Sequence, residues 1–171
     1  MIITHNVVTD KTVRCMSSEK DERMNVKDIM TASPATIRHD ETLADALRIM
    51  QQVECRHLPV MSREGHLIGI VSDRDCRLAL NSPHILRERW QDEDVIYHTR
   101  IASIMSPAPI IVEGNFPAHE AARLMLENRI SALPVMRGET LIGIITTSDI
   151  MMAFITSQRR QALYDRDSDK R

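Results

Sequence analysis

The sequence has few aromatic residues, few cysteines and no long apolar run. Aromatic side chains make up 3% of its 171 residues, so a core must be built from aliphatic side chains and the 11 methionines. The three cysteines, at positions 15, 55 and 76, lack CxxC or His-paired zinc spacing, which favours free thiols and predicts no metal site. No run approaches the roughly 20 apolar residues of a membrane span. These absences argue against a disulfide framework, a zinc site and a membrane protein.

The charge is nearly balanced. Lys plus Arg is 22 against 24 for Asp plus Glu, a formal net charge of −2. Such a balance gives no broad electrostatic footprint for nucleic acid or for an anionic membrane. Residues 1–24 also lack the apolar centre of a signal peptide. We therefore expect a cytoplasmic protein whose hydrophobic fraction, 43%, is sufficient for a real core.

The chain contains an internal repeat. Its matching segments are Val26–Met30 with Ile101–Met105, Leu58–Met61 with Leu133–Met136, and Gly69–Asp75 with Gly143–Asp149. The first two pairs are offset by 75 residues (101 − 26 and 133 − 58), and the third by 74 (143 − 69). The single gap falls in a polar, glycine-containing turn, where a change of length is easily tolerated. The sequence therefore predicts a duplicated unit.

Each unit has the pattern of a βαββα-type α+β repeat. The predicted divisions are an arm at 1–25, a first repeat at 26–82, a linker at 83–100, a second repeat at 101–158 and a charged tail at 159–171. Asp40 is predicted to cap a helix over Thr42–Val53, Pro117 to open a second helix, and the last helix to run from Ser148 to Gln158. The linker, with Trp90, is either an exposed helix or a partner-docking segment.

Two strand-to-helix junctions are the candidate functional sites. Ser72 and Asp75 follow one apolar strand, and Thr146 and Asp149 follow its counterpart. A helix N-terminus offers unpaired N–H groups, which suit a phosphate or a hydroxyl-rich ligand. A glycine in each strand indicates backbone that something approaches closely. The pattern predicts a duplicated small-molecule pocket, with acids favoured by the helix dipole as the alternative.

Several motifs occur in order, twice, and resemble the cystathionine-β-synthase (CBS) domain. The first set is Asp28-Ile-Met-Thr, Arg56-His-Leu-Pro-Val and Gly69-Ile-Val-Ser-Asp-Arg-Asp75; the second is Ile104-Met-Ser-Pro, Ile130-Ser-Ala-Leu-Pro-Val and Gly143-Ile-Ile-Thr-Thr-Ser-Asp149. The resemblance implies tandem CBS domains about a pseudo-twofold axis, a regulatory module that binds adenosine-containing ligands in clefts between its halves.

The resemblance also implies which residues form each cleft. Phosphate and ribose would be held by Ser72 and Asp75 in one cleft and by Thr146 and Asp149 in the other. The adenine base of the ligand held by Asp149 would lie against Met30, Thr31, Ala35 and Cys55. The base of the ligand held by Asp75 would lie against Met105, Ser106, Ile110, Ile130 and Ser131. Basic residues for phosphates would be Arg56, His57 and Arg74.

Each of these residues also has an explanation that involves no ligand. Arg56 and His57 could be solvated strand-edge residues, Arg74 could form a salt bridge at a helix start, and Cys55 is a buried inert thiol or one with a lowered pKa. The second copy has Ser131-Ala132 where the first has Arg56-His57. We therefore expect the two clefts to be unequal. The missing basic pair also argues against ligands with two or three phosphates.

No catalytic arrangement emerges from the positions of the Ser, His, Cys and acidic residues. We expect a non-catalytic sensor, with no cofactor, that binds AMP, ADP or ATP and signals to an unidentified protein by conformational change. A homodimer is expected through the helices near 74–80 and 148–158. The alternatives are a ligand-free structural scaffold and a sensor of another adenosyl ligand such as S-adenosylmethionine or NAD.

Overall fold

The structure, a computed structural model, describes residues 24–80 and 95–168, with side chains up to residue 159. The first repeat consists of α1 (Val26–Ile29), β1 (Thr31–Ala32), β2 (Ile37–Arg38), α2 (Leu43–Gln52), β3 (His57–Met61), β4 (Leu67–Ser72) and α3 (Asp73–Leu80). The second consists of a 3₁₀ turn (Ile101–Ser103), β5 (Ser106–Pro107), β6 (Val112–Glu113), α4 (Ala118–Asn128), β7 (Ala132–Arg137), β8 (Thr140–Thr146) and α5 (Thr147–Ser168). Both helices and sheets are present, as the sequence predicted.

Two antiparallel hairpins form the centres of the two sheets. In β4 the side chains alternate between buried and half-buried positions, as period-2 strand geometry requires. The turns of the hairpins contain Gly65 and Gly138, whose φ angles are +85° and +59°. Such left-handed conformations favour glycine because it has no Cβ. The hairpin turns therefore lie where the sequence predicted the length difference between the repeats.

The two repeats exchange a strand. The sheet orders are β2-β3-β4-β5 and β1-β8-β7-β6, so each sheet ends in a short strand from the other repeat. Gly69 pairs with Pro107 across β4 and β5, and Gly143 pairs with Ala32 across β8 and β1. Neither sheet is therefore complete within one repeat.

The segments that precede the exchanged strands also cross over. Val26 lies fully buried in the core of the second repeat, and Ile101 in the core of the first. The Val26 N–H donates to the Phe116 carbonyl oxygen at 2.9 Å, and the Ile101 N–H donates to the Glu41 carbonyl oxygen at 3.0 Å. These two hydrogen bonds are equivalent, because donors and acceptors are each separated by the repeat offset of 75 residues (101 − 26 and 116 − 41). The cores are interlocked.

The strand glycines make room for this exchange. A Cβ at Gly69 would lie 2.6 Å from the Met105 sulfur and 3.1 Å from the Ser106 carbonyl oxygen. A Cβ at Gly143 would overlap the Met30 sulfur and lie 3.1 Å from the Thr31 carbonyl oxygen. The close approach that the sequence indicated is therefore made by the crossing segment of the other repeat.

Several predicted boundaries were wrong. Asp40 does not cap α2; Thr42 does, because its Oγ accepts the Asp45 N–H, while Asp40 pairs with Arg38 and Arg63. Pro117 precedes α4 as its N-cap, with an extended ψ of 132°, rather than opening the helix. The last helix continues ten residues past the predicted end at residue 158.

Predictions for the arm, for Cys15 and for Trp90 fall outside the described residues. Within the described ranges, no helix combines the length and the apolarity needed to cross a bilayer.

Candidate functional site

The two candidate junctions have the same hydrogen-bond geometry. The N–H and Oγ of Ser72 donate to Asp75 Oδ2 at 2.8 and 2.6 Å, and the Asp75 N–H donates to Ser72 Oγ at 3.2 Å. Thr146 and Asp149 repeat this arrangement at 2.8, 2.7 and 3.4 Å. Each pair is a capping box at the start of a helix, α3 or α5. Both acids therefore have a structural task independent of any ligand.

A third capping box provides an internal comparison. Thr42 and Asp45 make the same three contacts at the start of α2, at 3.1, 2.7 and 3.3 Å. Hydrogen bonds from Thr42 are the main cause that lowers the pKa of Asp45. This box belongs to neither candidate cleft. The hydroxyl followed three residues later by an aspartate is thus a helix-capping signal, which by itself does not identify a binding site.

The second carboxylate oxygen of the aspartate distinguishes the two candidate junctions from this third capping box. Asp45 Oδ1 accepts a hydrogen bond from Arg48 Nη2 at 3.1 Å. Among residues 24–80 and 95–159, no hydrogen bond is formed by the Oδ1 atoms of Asp75 and Asp149. Both aspartates are half-buried. Each candidate junction therefore keeps one acceptor oxygen that a ligand hydroxyl can use.

Side chains of the two repeats meet between the junctions. Arg56 Nη2 donates to Ser148 Oγ, 3.3 Å away in the first turn of α5. His57 Nε2 lies 2.8 Å from Ser131 Oγ. Backbone hydrogen bonds fix both strand starts, because the Asp73 N–H donates to the Arg56 carbonyl and the Thr147 N–H to the Ser131 carbonyl, each at 3.0 Å. The starts of β3 and β7 thus face each other.

The sequence missed one of these residues, Ser148, although the aligned repeats contain a signal for it. Ser131 in the second repeat occupies the place of Arg56, and Arg74 in the first occupies the place of Ser148. By the repeat alignment, the positions of Arg56 and Ser148 at one junction correspond to Ser131 and Arg74 at the other, and of these two pairs only Arg56 with Ser148 forms a hydrogen bond within the described residues. Each junction therefore has one arginine and one serine. At one junction the arginine lies at the strand start, and at the other it lies in the first turn of the helix.

Arg74 does not form the salt bridge that was its alternative explanation. In the part of the chain that the structure describes, its exposed guanidinium has no ion-pair partner. The neighbouring Arg77 pairs with Asp73 at 2.6 Å, as i, i+4 spacing on a helix allows. A phosphate contact for Arg74 stays a prediction.

The predicted base-contact residues divide into two groups. Thr31 pairs with Ile144, and Ser106 pairs with Ile70, so the exchanged strands place Met30 and Met105 beside the strands that end at the two junctions. Ala35 and Cys55 are partly buried against the first core and Ile110 and Ile130 against the second. Ser131 belongs to neither group, because it is exposed and lies beside His57. Ligand contact by any of these residues stays a prediction.

Burial controls the titration of the groups near the junctions. It lowers the pKa of His57, an effect to which Arg56 adds and which Asp75 and Asp73 oppose. It also raises the pKa of the Cys55 thiol, and raises that of Cys76 to about 11. The inert interpretation of Cys55 is therefore the better one, since the thiolate is the reactive form.

Comparisons with known proteins find one family along most of the chain. The model of the family described as "CBS domain" matches residues 26–82 and 101–156. A CBS domain-containing protein of Dictyostelium discoideum is 36% identical over 127 residues, which cover 74% of this chain and 88% of that protein. The chain thus resembles that relative over most of its length.

Two solved structures with related folds contain ligands. CBSX2 in complex with AMP is 29% identical, with a TM-score of 0.64 over 77% of this chain and 97% of the other. The CBS domain pair of protein MJ0100, in complex with 5′-methylthioadenosine and S-adenosyl-L-methionine, is 26% identical, with a TM-score of 0.65 over 77% of this chain and 99% of the other. Both structures contain adenosine-based ligands.

Proposed function

The chain belongs to the CBS domain family, and on that premise we propose that it is a cytoplasmic, non-catalytic sensor of an adenine nucleotide. AMP, ADP or ATP would bind in the two clefts between its repeats. The fold is one typical of regulatory modules, and the AMP complex of CBSX2 supports this ligand class. The adenosyl ligands of MJ0100 make S-adenosylmethionine, or a related compound such as NAD, the alternative.

The observation that carries the proposal is the unused oxygen of each junction aspartate. Asp149 Oδ2 is saturated by its capping box, whereas Oδ1 forms no hydrogen bond within the described residues. A carboxylate oxygen can accept a hydrogen bond from a ribose hydroxyl. The positive dipole end of the adjoining helix favours a phosphate, although its Thr147 and Asp149 N–H groups already donate to Ser131 and Thr146. Ribose and phosphate thus find complementary groups a few ångströms apart.

The arginines favour a ligand with few phosphates. One cleft would use Arg56, which reaches across to Ser148 in α5, and the other would use Arg74 in α3. Each cleft then contains one guanidinium rather than a cluster. A single guanidinium can bind one phosphate in a bidentate manner, and so AMP is the nucleotide that this arrangement suits best.

Signalling would follow from the interlocked cores. A ligand shifts a conformational equilibrium only through its different affinities for the two states. Arg56, His57, Ser131 and Ser148 form the contacts between the repeats that a bound phosphate would rearrange. The resulting change in the setting of the repeats would be recognised by an unidentified protein target.

A homodimer is part of the proposal. α3 and α5 expose large apolar side chains: Leu78, Met151, Met152, Phe154 and Ile155, with exposed fractions between 43% and 65%. Contiguous exposed apolar surface often marks an interface. Sedimentation of Phe154→Glu beside the unchanged chain tests this part, because a charge in an apolar interface should yield a monomer.

The test of nucleotide binding uses the third capping box as its control. Calorimetric titration of the full chain with AMP, ADP, ATP, S-adenosylmethionine and NAD should give binding in the micromolar to millimolar range. Asp75→Asn and Asp149→Asn should each weaken their own cleft by roughly tenfold or more, since a hydrogen bond to a charged group contributes about 1.5–3 kcal/mol. Asp45→Asn loses the same kind of cap and should leave the titration unchanged.

Equal weakening by all three substitutions would contradict the proposal, since it would trace the effect to loss of helix caps. The capping geometry also favours a second candidate function, a ligand-free scaffold, because it explains both aspartates without a nucleotide. A ligand that binds the folded state must raise its apparent stability. No thermal shift with any of the five ligands at millimolar concentration would therefore favour the scaffold.

A further inference from the structure

The second repeat has a pocket at its hairpin end, where the first repeat carries different side chains. The pocket has a volume of about 320 Å³ and lies between α1, β6 and the β7–β8 hairpin. Its lining residues are Lys27, Met30, Glu113, Gly114, Asn115, Met136, Arg137, Gly138 and Ile142. Ile142 precedes Thr146 by four residues, roughly 13 Å along a strand. The pocket is therefore separate from the capping junction, and Met30 is the residue it shares with the predicted cleft.

In the first repeat, the corresponding place is occupied by side chains. Asp40 pairs with Arg38 at 3.1 Å and with Arg63 at 2.9 Å. His39 is half-buried beside them, and its Nδ1 lies 3.4 Å from the Met61 carbonyl oxygen. With the offset of 75, the second repeat has Gly114 in place of His39, Asn115 in place of Asp40 and Gly138 in place of Arg63. These replacements remove both the filling side chain and the ion pairs.

Gly114 keeps the pocket open. A Cβ at this position would lie 3.4 Å from Lys27 Cβ and 3.6 Å from Ile142 Cδ1, both of which belong to lining residues. These are ordinary van der Waals distances, so a larger side chain at 114 would extend into the pocket without a backbone clash. The absence of a side chain there is thus what leaves the space, and it can be reversed by substitution.

The charged residues around the pocket have no ion-pair partner in the part of the chain that the structure describes. Among residues 24–80 and 95–159, Lys27, Glu113 and Arg137 form no ion pair. Exposed charges of this kind are ordinary when scattered, but here they surround one cavity whose apolar wall is formed by Met30, Met136 and Ile142. Ligand pockets usually combine an apolar wall with a few polar groups that fix orientation.

We propose that this pocket binds a small organic acid with an apolar tail. The carboxylate would be held by Lys27 and Arg137, and the tail would lie on Met30, Met136 and Ile142. Glu113 and the Asn115 amide oxygen can accept hydrogen bonds from an ammonium group, so an apolar α-amino acid fits better than the corresponding simple acid. The corresponding place in the first repeat carries the ion pairs of Asp40, so we expect each chain to take one such ligand.

The experiment uses the full chain and three probes: leucine, 4-methylpentanoate, which lacks the ammonium group, and inorganic phosphate. Thermal shift and calorimetric titration should detect both organic acids at millimolar concentration, with leucine tighter. Gly114→His, which restores the residue of the first repeat, and Arg137→Gln should each weaken binding at least tenfold. Arg129→Gln removes an exposed arginine outside the pocket and should have no effect. Glu113→Gln should remove the preference for leucine.

Two results would overturn the proposal: no binding of either organic acid, or inorganic phosphate binding as well as they do, which would leave the apolar wall without a role. Equal binding of the two acids would overturn the part assigned to Glu113. Should Gly114→His fail to fold, the exposed Arg137→Gln carries the test. AMP binding should survive Arg137→Gln, and leucine binding should survive Asp149→Asn, so that failure here and failure of the nucleotide proposal remain distinguishable.

Discussion

The two repeats share their backbone architecture and differ at the edges of the cavities. Both have a crossing segment anchored by a buried aliphatic residue, Val26 or Ile101, and both have a capping box at the last helix. They differ at the hairpin end, where one is closed by Asp40 and its two arginines and the other is open. The residues common to both thus include the anchors and caps that hold the fold together.

This difference identifies, without any other sequence, the positions at which the two copies have diverged. A feature present in both copies, such as the strand glycine that contacts a methionine of the crossing segment, is explained by the strand exchange that both copies need. A feature that has changed, such as the reversal of Arg56 with Ser148 into Ser131 with Arg74, lies outside the cores. The changed positions are therefore the places to look for distinct ligands.

The largest effect is expected from removal of a crossing anchor. Ile101→Ala should lower the free energy of unfolding by about 2–5 kcal/mol, because it leaves a cavity in a core that belongs to the other repeat. If the cores are interlocked, urea unfolding should remain a single transition although the lesion lies in one sheet. The exposed Met152→Ala should change stability by less than about 0.5 kcal/mol. A variant that unfolds in two separate steps would contradict interlocking.

The arginine reversal predicts separate effects on the two clefts. Arg56→Gln and Arg74→Gln should each weaken AMP binding to one cleft by roughly 10- to 100-fold, since hydrogen bonds to charged groups contribute about 1.5–3 kcal/mol. Titration calorimetry that resolves two sites provides the measurement, and the double variant should lose both. Arg129→Gln is the matched control. Loss of the same site in both single variants would break the proposed reversal.

Substitution of the strand glycines tests whether the exchange is equivalent in the two halves. Gly69→Val and Gly143→Val should each destabilise the chain by about 1–3 kcal/mol, because the new Cβ overlaps a methionine and approaches backbone oxygen. Gly114→Ala, whose Cβ would meet nothing closer than 3.4 Å, should be nearly neutral in denaturant unfolding. Addition of Met30→Ala should partly rescue Gly143→Val and leave Gly69→Val unrescued.

The smallest expected effect is a pH dependence that arises in one repeat. Burial lowers the pKa of His57, so the unfolded chain binds this proton at a higher pH than the folded chain. The contribution to stability is complete above about pH 6.5, the ordinary histidine value, and is lost as the pH falls through the lowered pKa. The second repeat has Ala132 at this position. His57→Gln should therefore flatten unfolding free energy measured from pH 8 to pH 5.

The charged neighbours of His57 provide a second test of that measurement. A pH profile that His57→Gln leaves unchanged would remove this imidazole from the role. Arg56 and the carboxylates of Asp73 and Asp75 act on the same imidazole, so the profile should also respond to Arg56→Gln.

The duplication and its junctions were predictable because they leave long, ordered signals in the sequence. The apolar runs Leu67–Val71 and Leu141–Ile145, with a hydroxyl and an aspartate after each, predicted strands that enter helices, and the structure has them there. The family followed from the same residues. The signals that succeeded were those with a periodicity over many residues.

The exchange of strands could not be predicted in this way. β1 and β5 contain two residues each, too few for any alternation of polar and apolar side chains. Their partners are set by long-range packing of Val26 and Ile101, which leaves no local trace. The helix cap was wrongly predicted for a related reason: Asp40 and Thr42 are both good capping residues, and the long-range partner of Asp40, Arg63, is not visible in the local sequence.

The reciprocal docking of Val26 and Ile101 also bears on how such a chain could arise. Two copies of a lone ancestral unit, each inserting its leading segment into its twin, would form the same contacts as a symmetric dimer. Fusion of two genes would then convert an association between molecules into one within a molecule, at a high effective concentration. A chain cleaved between its halves should accordingly stay assembled, each fragment completing the other.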